Sequence, residues 1–399
     1  MEAVLPMELR KADAAKLVET LRTLDAAKVD VVVSASKVRA QAGRILISEI
    51  VTPHGVGADL EISDRFVGGL AAKLDIPGTY LRKLLDDTLA REIVDTVGGG
   101  HIYNRAPIFD QNVNFWLERA AELERTLLIR SYVMPDGGGY ARALLSDRFR
   151  MIDNIDMVRA VHQGVAESGV EAELWSADLS ETWMHLTYRC PGVAVDGGPF
   201  TRNYSLRERG GHEFLSGNDR PLVFAGFRVR NSETGAAQAE FLPVLQVQVC
   251  TNGLTRNVAG ECHKIRHIGA RMEEGYVSER TEAAWLELMV SDMADKVAEA
   301  TSVEYVQRVM DEINGIASTP IADTAKAIEY VGELFKLPQQ GRDDILNAFA
   351  AAGRPTVGNL VHAMTDVATQ ATTGDAQHEL ECQAETVFAH AKALAKLGA

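Results

Sequence analysis

Cysteine is scarce in this chain, with four in 399 residues: Cys190, Cys250, Cys262 and Cys382. That is too few for a disulfide framework and points to a reducing compartment. No stretch approaches the roughly 20 uninterrupted apolar residues of a membrane span. The opening MEAVLPMELRKADAAK has no apolar core of the signal-peptide kind, so a soluble cytoplasmic protein without membrane contact is expected. The phosphate loop G-x-x-x-x-G-K-[ST] and the nucleophile elbow G-x-S-x-G are both missing. Gly137-Gly138-Gly139 precedes a strand-like run where a dinucleotide site needs a helix. No catalytic residue and no cofactor is therefore assigned. Positive charge is in short supply too, with 41 Lys/Arg against 56 Asp/Glu and a net charge of −15.

A hydrophobic content of 46% is enough to bury a substantial core. The charge is segregated. Residues 200–271 carry ten Lys/Arg against six Asp/Glu, a balance of +4, whereas residues 272–399 carry nine against twenty-one, or −12. A net-acidic protein presents a basic surface to a polyanion wherever the local potential allows it, because total charge mainly sets solubility.

The basic middle is also the most strand-like part. Val223, Ala225, Phe227 and Val229 alternate with Phe224, Gly226, Arg228 and Arg230, the period of a strand with one dry side. Asn231-Ser232-Glu233-Thr234-Gly235 reads as the turn and Ala239–Cys250 as its partner strand. Asn252-Gly253 reverses the chain again, ahead of Arg256, His263, Lys264, Arg266 and His267.

Upstream, the spacing of Leu9, Leu17, Leu21 and Leu24 predicts a helix over 7–24, followed by strands at 31–34 and 45–51. Ser63 reads as an N-cap, and Pro77-Gly78 separates two helices, an arrangement that invites a helix-turn-helix comparison. The second of these helices carries at least as many acids as bases, which weighs against a DNA-reading role. A helix at 105–122, a hairpin around 135–139, a helix from Asp153 or Asn154 to about Ser168 and two further strands complete the centre. From about 278 onward the pattern is helical, with breaks expected at Asn314-Gly315, Pro320, Pro338, Gly353 with Pro355, and Gly374. Trp285, Leu288, Tyr305, Phe335 and Phe349 are expected in its core.

The fold class that follows is α+β: a central, mainly antiparallel sheet with a backing helix, N-terminal helices and an all-helical acidic C-terminal region. The divisions expected are 1–122 (N-terminal, helical and mixed), 123–275 (central β core with a loop at 191–220) and 276–399 (acidic helices). The long loop holds Arg202, Arg207, Arg209 and Arg220 beside Phe200 and Tyr204, the combination that holds phosphates and stacks on bases.

Two metal readings have some support. Cys250, Cys262, His263 and His267 lie within eighteen residues, yet no close Cys pair exists and two neighbours would face apart on a strand. Asp147, Asp153, Asp156, Glu171 and Glu173 could serve a magnesium nuclease, although Asp153 and Asp156 also suit a helix N-terminus. No metal ligand is assigned.

The segments RALLSDRFRMIDNIDM (142–157), RVRNSETGAA (228–237), VCTNGL (249–254) and GRPTVGNLVHAMTDVATQ (353–370) resemble the phage/plasmid-like protein family, also called domain of unknown function 932. The resemblance covers most of the chain and implies a protein carried by phages or plasmids, where DNA recombination and replication accessories are common; it implies no catalytic residues. The expected function is nucleic-acid binding, with single-strand annealing by a homo-oligomer as its sharper form and single-stranded DNA as partner. The residues expected to contact phosphate are Arg142, Arg148, Arg150, Arg202, Arg207, Arg209, Arg228, Arg230, Arg256, Lys264 and Arg266. The alternatives are an acidic interaction protein that engages a host or phage protein through its C-terminal region, and a metal-dependent nuclease.

Overall fold

A computed structural model describes residues 8–52, 55–85, 106–134, 138–201, 222–247, 253–255, 263–265, 279–351 and 354–397. In chain order the elements are β1 (Leu9–Ala12), α1 (Ala14–Ala27), β2 (Lys28–Ser34), β3 (Val38–Gln41), β4 (Arg44–Thr52), β5 (Gly55–Ile62), α2 (Asp64–Leu74) and α3 (Gly78–Leu85). Next come α4 (Ala106–Glu122), β6 (Thr126–Val133), β7 (Gly138–Ser146), α5 (Asn154–Ser168), β8 (Glu173–Leu179), β9 (Met184–Asp196) and α6 (Gly198–Thr201). They are followed by β10 (Leu222–Asn231), β11 (Ala239–Val247), β12 (Gly253–Thr255) and β13 (His263–Ile265). The last third is helical: α7 (Glu279–Ala300), α8 (Val303–Ala317), α9 (Thr324–Leu334), α10 (Gln339–Ala351), α11 (Val357–Ala368), α12 (Gly374–Ala389) and α13 (Ala391–Leu394).

The α+β class holds, but the strands form two sheets. One has six strands in the order β2-β6-β7-β5-β4-β3; the other has seven, β1-β8-β9-β10-β11-β12 with β13 also on β11. Pairing is antiparallel except between β5 and β7. The division expected at 122/123 falls inside the six-stranded sheet, because β2 pairs with β6 from Lys28↔Tyr132 to Ser34↔Thr126. The hairpin of β6 and β7 thus completes an N-terminal layer.

Each layer has its own core. Ile45, Ile47, Leu60, Leu127, Ile129 and Leu144 of the six-stranded sheet pack with Phe66 and Leu70 of α2 and Phe109 and Val113 of α4. The alternation in β10 resolves as its period requires. Val223, Ala225, Phe227 and Val229 join Met293 and Val297 of α7 and Val306 and Val309 of α8 in the second core, while Arg228 and Arg230 project from the other face. The acidic helices are therefore the roof of the seven-stranded sheet and share its core.

Several local expectations change. The residues before Asp13 form β1, paired with β8, and α1 starts only where the Asp13 side chain accepts from the Lys16 N–H at 2.8 Å. α8 runs through Asn314-Gly315, where Asn314 accepts from the Phe200 backbone N–H at 2.8 Å. The break expected at Gly374 falls at 369–373, and Gly374 itself opens α12 behind the Thr373 cap. Tyr305 and Phe349 are buried, whereas Leu288 is 57% exposed. Of the loop at 191–220, β9 extends to Asp196 and α6 buries Phe200; residues 202–220 lie outside the described residues.

The layers are bolted together by buried charge. Arg130 of β6 is fully buried and donates to Asp30 at 2.6 Å, to Asp153 and to the Glu233 carbonyl at 2.8 Å. Burial opposes its charge, but Asp30, Asp153 and Glu233 together hold it ionised. Burial likewise works against ionised Asp153, and Arg130 with Lys28 outweighs it, so its pKa is depressed. Asp153 is at the N-cap of α5 yet makes no side-chain cap bond. Glu233, from the turn between β10 and β11, caps instead, accepting from the Asn154 N–H at 2.6 Å.

Candidate nucleic-acid interface

The expected basic sheet surface does not form from the described arginines. Arg142 lies on β7 in the six-stranded sheet, 3% exposed, bound to Glu233 at 2.5 Å and stacked over Tyr132. Arg228 lies on β10 in the other sheet, 5% exposed, with Glu381 at 2.7 Å, Thr187 at 3.1 Å and His378 at 2.7 Å. Arg230 pairs with Glu240 at 2.9 Å and covers the Trp183 ring. A buried guanidinium with a carboxylate partner is taken up structurally, so the phosphate-binding role expected of Arg142 and Arg228 is corrected to a structural one. Arg150 is half-buried over the Trp285 ring, and burial lowers its pKa. Arg202, Arg207, Arg209, Arg256 and Arg266 lie outside the described residues; Lys264 is placed only by its backbone, opposite Glu240 in β13.

Arg148 does reach a basic surface, of a different construction. α2 begins at Ser63, whose hydroxyl accepts from the Phe66 N–H and donates to the Arg142 carbonyl, both at 2.8 Å. With Phe66, Val67, Leu70 and Leu74 turned inward, the helix sets Arg65, Gly68, Gly69, Ala72 and Lys73 along the end of β7. It lies so close that a Cβ at Gly69 would collide with the Leu144 carbonyl. The turn after β10 closes the other side: Gly235, at φ +70°, is where an added Cβ would meet Leu145 and Phe149, and the Thr234 carbonyl accepts from Arg65 Nε at 3.4 Å.

The result is a groove of about 490 Å³ whose lining includes Arg65, Lys73, Arg148 and the aromatic Phe149, and no carboxylate. The nearest acids are occupied elsewhere. Asp64 is held by Arg82, and Asp147 accepts from Thr126 at 3.0 Å and Ser146 at 3.2 Å. Burial lowers the pKa of Arg65, with Asp64 working against that. Three cations converging with no carboxylate in the lining form a local positive potential on a net-acidic molecule.

Arg65 and Lys73 escaped the sequence reading. Their signal is an eight-residue spacing, slightly over two helical turns, with Gly68-Gly69 between them to permit close approach to a neighbouring chain.

Among the described residues no group of three or more His, Cys, Asp or Glu side chains could hold a metal ion. Asp153 is engaged with Arg130 and Lys28, and Asp156 with Arg159 at 2.9 Å. Cys250, Cys262 and His267 lie outside the described residues, and His263 is placed by its backbone alone. Among the described helices none is long and apolar enough to cross a membrane.

No protein-family model, curated protein or solved structure matches the chain. The resemblance to the phage/plasmid-like proteins rests on its four motifs alone.

Proposed function

We propose that the protein binds nucleic acid, holding the phosphates of a single strand in the groove between α2 and β7. The observation that supports this is the convergence of Arg65, Lys73 and Arg148 beside Phe149 with no carboxylate in the lining. Phosphate contacts position a strand irrespective of sequence, and an aromatic ring at the same place accepts a stacked base. A groove of about 490 Å³ suits one backbone and a base or two, not a duplex about 20 Å wide in which the bases are already stacked on each other. The proposal is for binding without chemistry.

The test is fluorescence anisotropy with a labelled oligothymidylate at about 50 mM salt, where counterion release favours binding strongly. Three phosphate contacts predict a log–log salt slope of about −2 on single strands. Absence of salt-sensitive binding overturns the proposal.

A further inference from the structure

Helix α4 is apolar on two sides. Phe109, Val113 and Leu117 are buried in the core of the six-stranded sheet. Asn114 fixes the helix to β3, accepting from the Ala40 N–H at 2.7 Å and donating to the Ala40 carbonyl at 2.8 Å. On the opposite side Ile108, Phe115, Trp116 and Leu123 are 47%, 61%, 38% and 56% exposed. A lone exposed apolar side chain is ordinary, whereas four on one helix face, two of them aromatic, mark a contact surface.

This outward face is narrow and continuous. Ile108, Asn112, Phe115, Arg119 and Leu123 follow one another at spacings of four, three, four and four residues, with Trp116 beside them, so they form one stripe along the helix. Leu123 stays in line because the chain turns off only after it. The Glu124 N–H donates to the Ala121 carbonyl at 2.9 Å and the Arg125 N–H to the Ala120 carbonyl at 3.0 Å, with Glu124 at φ +51°. The Phe115 and Trp116 rings meet edge to face at 5.3 Å, each holding the other in place.

From either end the stripe has the same order: apolar, polar, aromatic, aromatic, polar, apolar. We propose that it is the interface of a two-fold dimer, in which α4 of a second copy of this chain lies antiparallel on α4 of the first. With the axis between Phe115 and Trp116, Ile108 meets Leu123 of the second copy, Asn112 meets its Arg119 and Phe115 meets its Trp116, each contact occurring twice as the symmetry requires. A foreign partner imposes no such reversal symmetry on the surface it meets; a second copy does.

The polar pair matches in chemistry. Asn112 Nδ2 donates to the Ile108 carbonyl at 2.8 Å, so Oδ1 is the acceptor it offers. Arg119 engages Glu122 through one nitrogen at 2.9 Å, both side chains 64% exposed, and keeps further N–H groups to donate. No carboxylate stands opposite another in this register, because the counterparts of Glu118 and Glu122 are Val113 and Phe109. The aromatic pair sits at the centre, where interfaces place their anchors. The contact is modest: one helix pair buries less than the roughly 1,200–2,000 Å² of a standard interface, so a dissociation constant of about 10 μM is expected.

This inference is independent of nucleic-acid binding and is tested without it. Sedimentation equilibrium of the intact protein from about 1 to 200 μM, a range that brackets the expected constant, should show monomer passing to dimer. Phe115→Glu, at an exposed position, should weaken association at least tenfold with the melting temperature unchanged. Asn112→Glu places a carboxylate opposite Arg119 of the second copy and should tighten association about threefold, whereas Asn112→Arg opposes two cations and should loosen it to a similar extent. Within one chain these positions lie about 10 Å apart along the helix, so opposite shifts report the register between copies and serve as the second test if Phe115→Glu fails to fold. A monomer at every concentration, a dimer indifferent to Phe115→Glu, or shifts of the same sign in the two Asn112 variants overturns the proposal. So does a monomer that binds phosphatidylcholine vesicles through Phe115, which would make the stripe a membrane contact.

Discussion

Arg228 and Glu381 face each other at 2.7 Å with side chains 6% and 0% exposed, joining the seven-stranded sheet to α12. A strand without acidic residues thus spends the charge of its first arginine on a carboxylate from the acidic last third. Breaking such a pair is costly because the remaining charge is buried alone. Arg228→Met should therefore lower stability by about 3–5 kcal/mol, whereas Arg228→Met with Glu381→Leu should lose much less. Urea denaturation of the two variants measures the difference; equal losses would mean that the charge plays no part.

The groove variants should behave in the opposite manner. Lys73→Glu with Arg148→Glu replaces two surface cations, so stability should stay within about 0.5 kcal/mol of the parent. The salt slope for an oligothymidylate should flatten by about 1.4, since each lost phosphate contact removes about 0.7. Anisotropy over a salt series reads both affinity and slope, and an unchanged slope would remove the groove from the binding path.

Acid should destabilise the protein before its carboxylates titrate. His362, donating to the Phe200 carbonyl at 3.0 Å and stacked on the Phe200 ring, is held at about 4 by burial, which the carbonyl bond only partly offsets. His185 and His378 are lowered in the same sense, again mainly by burial. A histidine with a folded pKa below its unfolded value of about 6.5 takes up a proton on unfolding between the two. Its contribution is whole above about pH 6.5 and drains away as the pH falls towards 4. His362 alone should account for up to roughly 3 kcal/mol, an upper limit because the residue is only half-buried. Urea midpoints from pH 7.5 to 5 should fall, and His362→Phe should flatten the fall; a flat profile in the parent contradicts this account.

Glu233 is the member of the buried charge cluster best suited to a stability test. It pairs with Arg142, caps α5 through the Asn154 N–H and leads into Thr234 at the groove wall. Glu233→Ala should cost about 3–5 kcal/mol through the stranded Arg142 charge and weaken strand binding as well. Glu233→Gln, which retains an acceptor for Asn154, should lose less on both counts. Denaturation and anisotropy on the same samples check the order.

Local pattern carried much of this architecture. The Ser63 cap, the alternation in β10, the turn at 231–235 and the helical last third all follow from period and capping chemistry. Partnership was not legible. Arg142 and Arg228 look the same in sequence as Arg148, because a solvated arginine and a buried one differ only in the carboxylate that folding brings to them. The same blindness explains Asp153, which sits where a cap belongs but is drawn off by Arg130. The groove depends on α2 meeting β7 and the turn at Thr234, a junction of three distant stretches.

The order of synthesis gives the helical roof a further significance. All of the seven-stranded sheet, including Phe227 and Phe241, is translated before α7 and α8, which cover its apolar side. A nascent chain halted near residue 270 would carry into the cell a broad, sticky β surface covered by α1 and α5 alone. The vulnerable interval in the life of this molecule is therefore the time needed to make its last third, and truncated forms should aggregate where the complete chain does not.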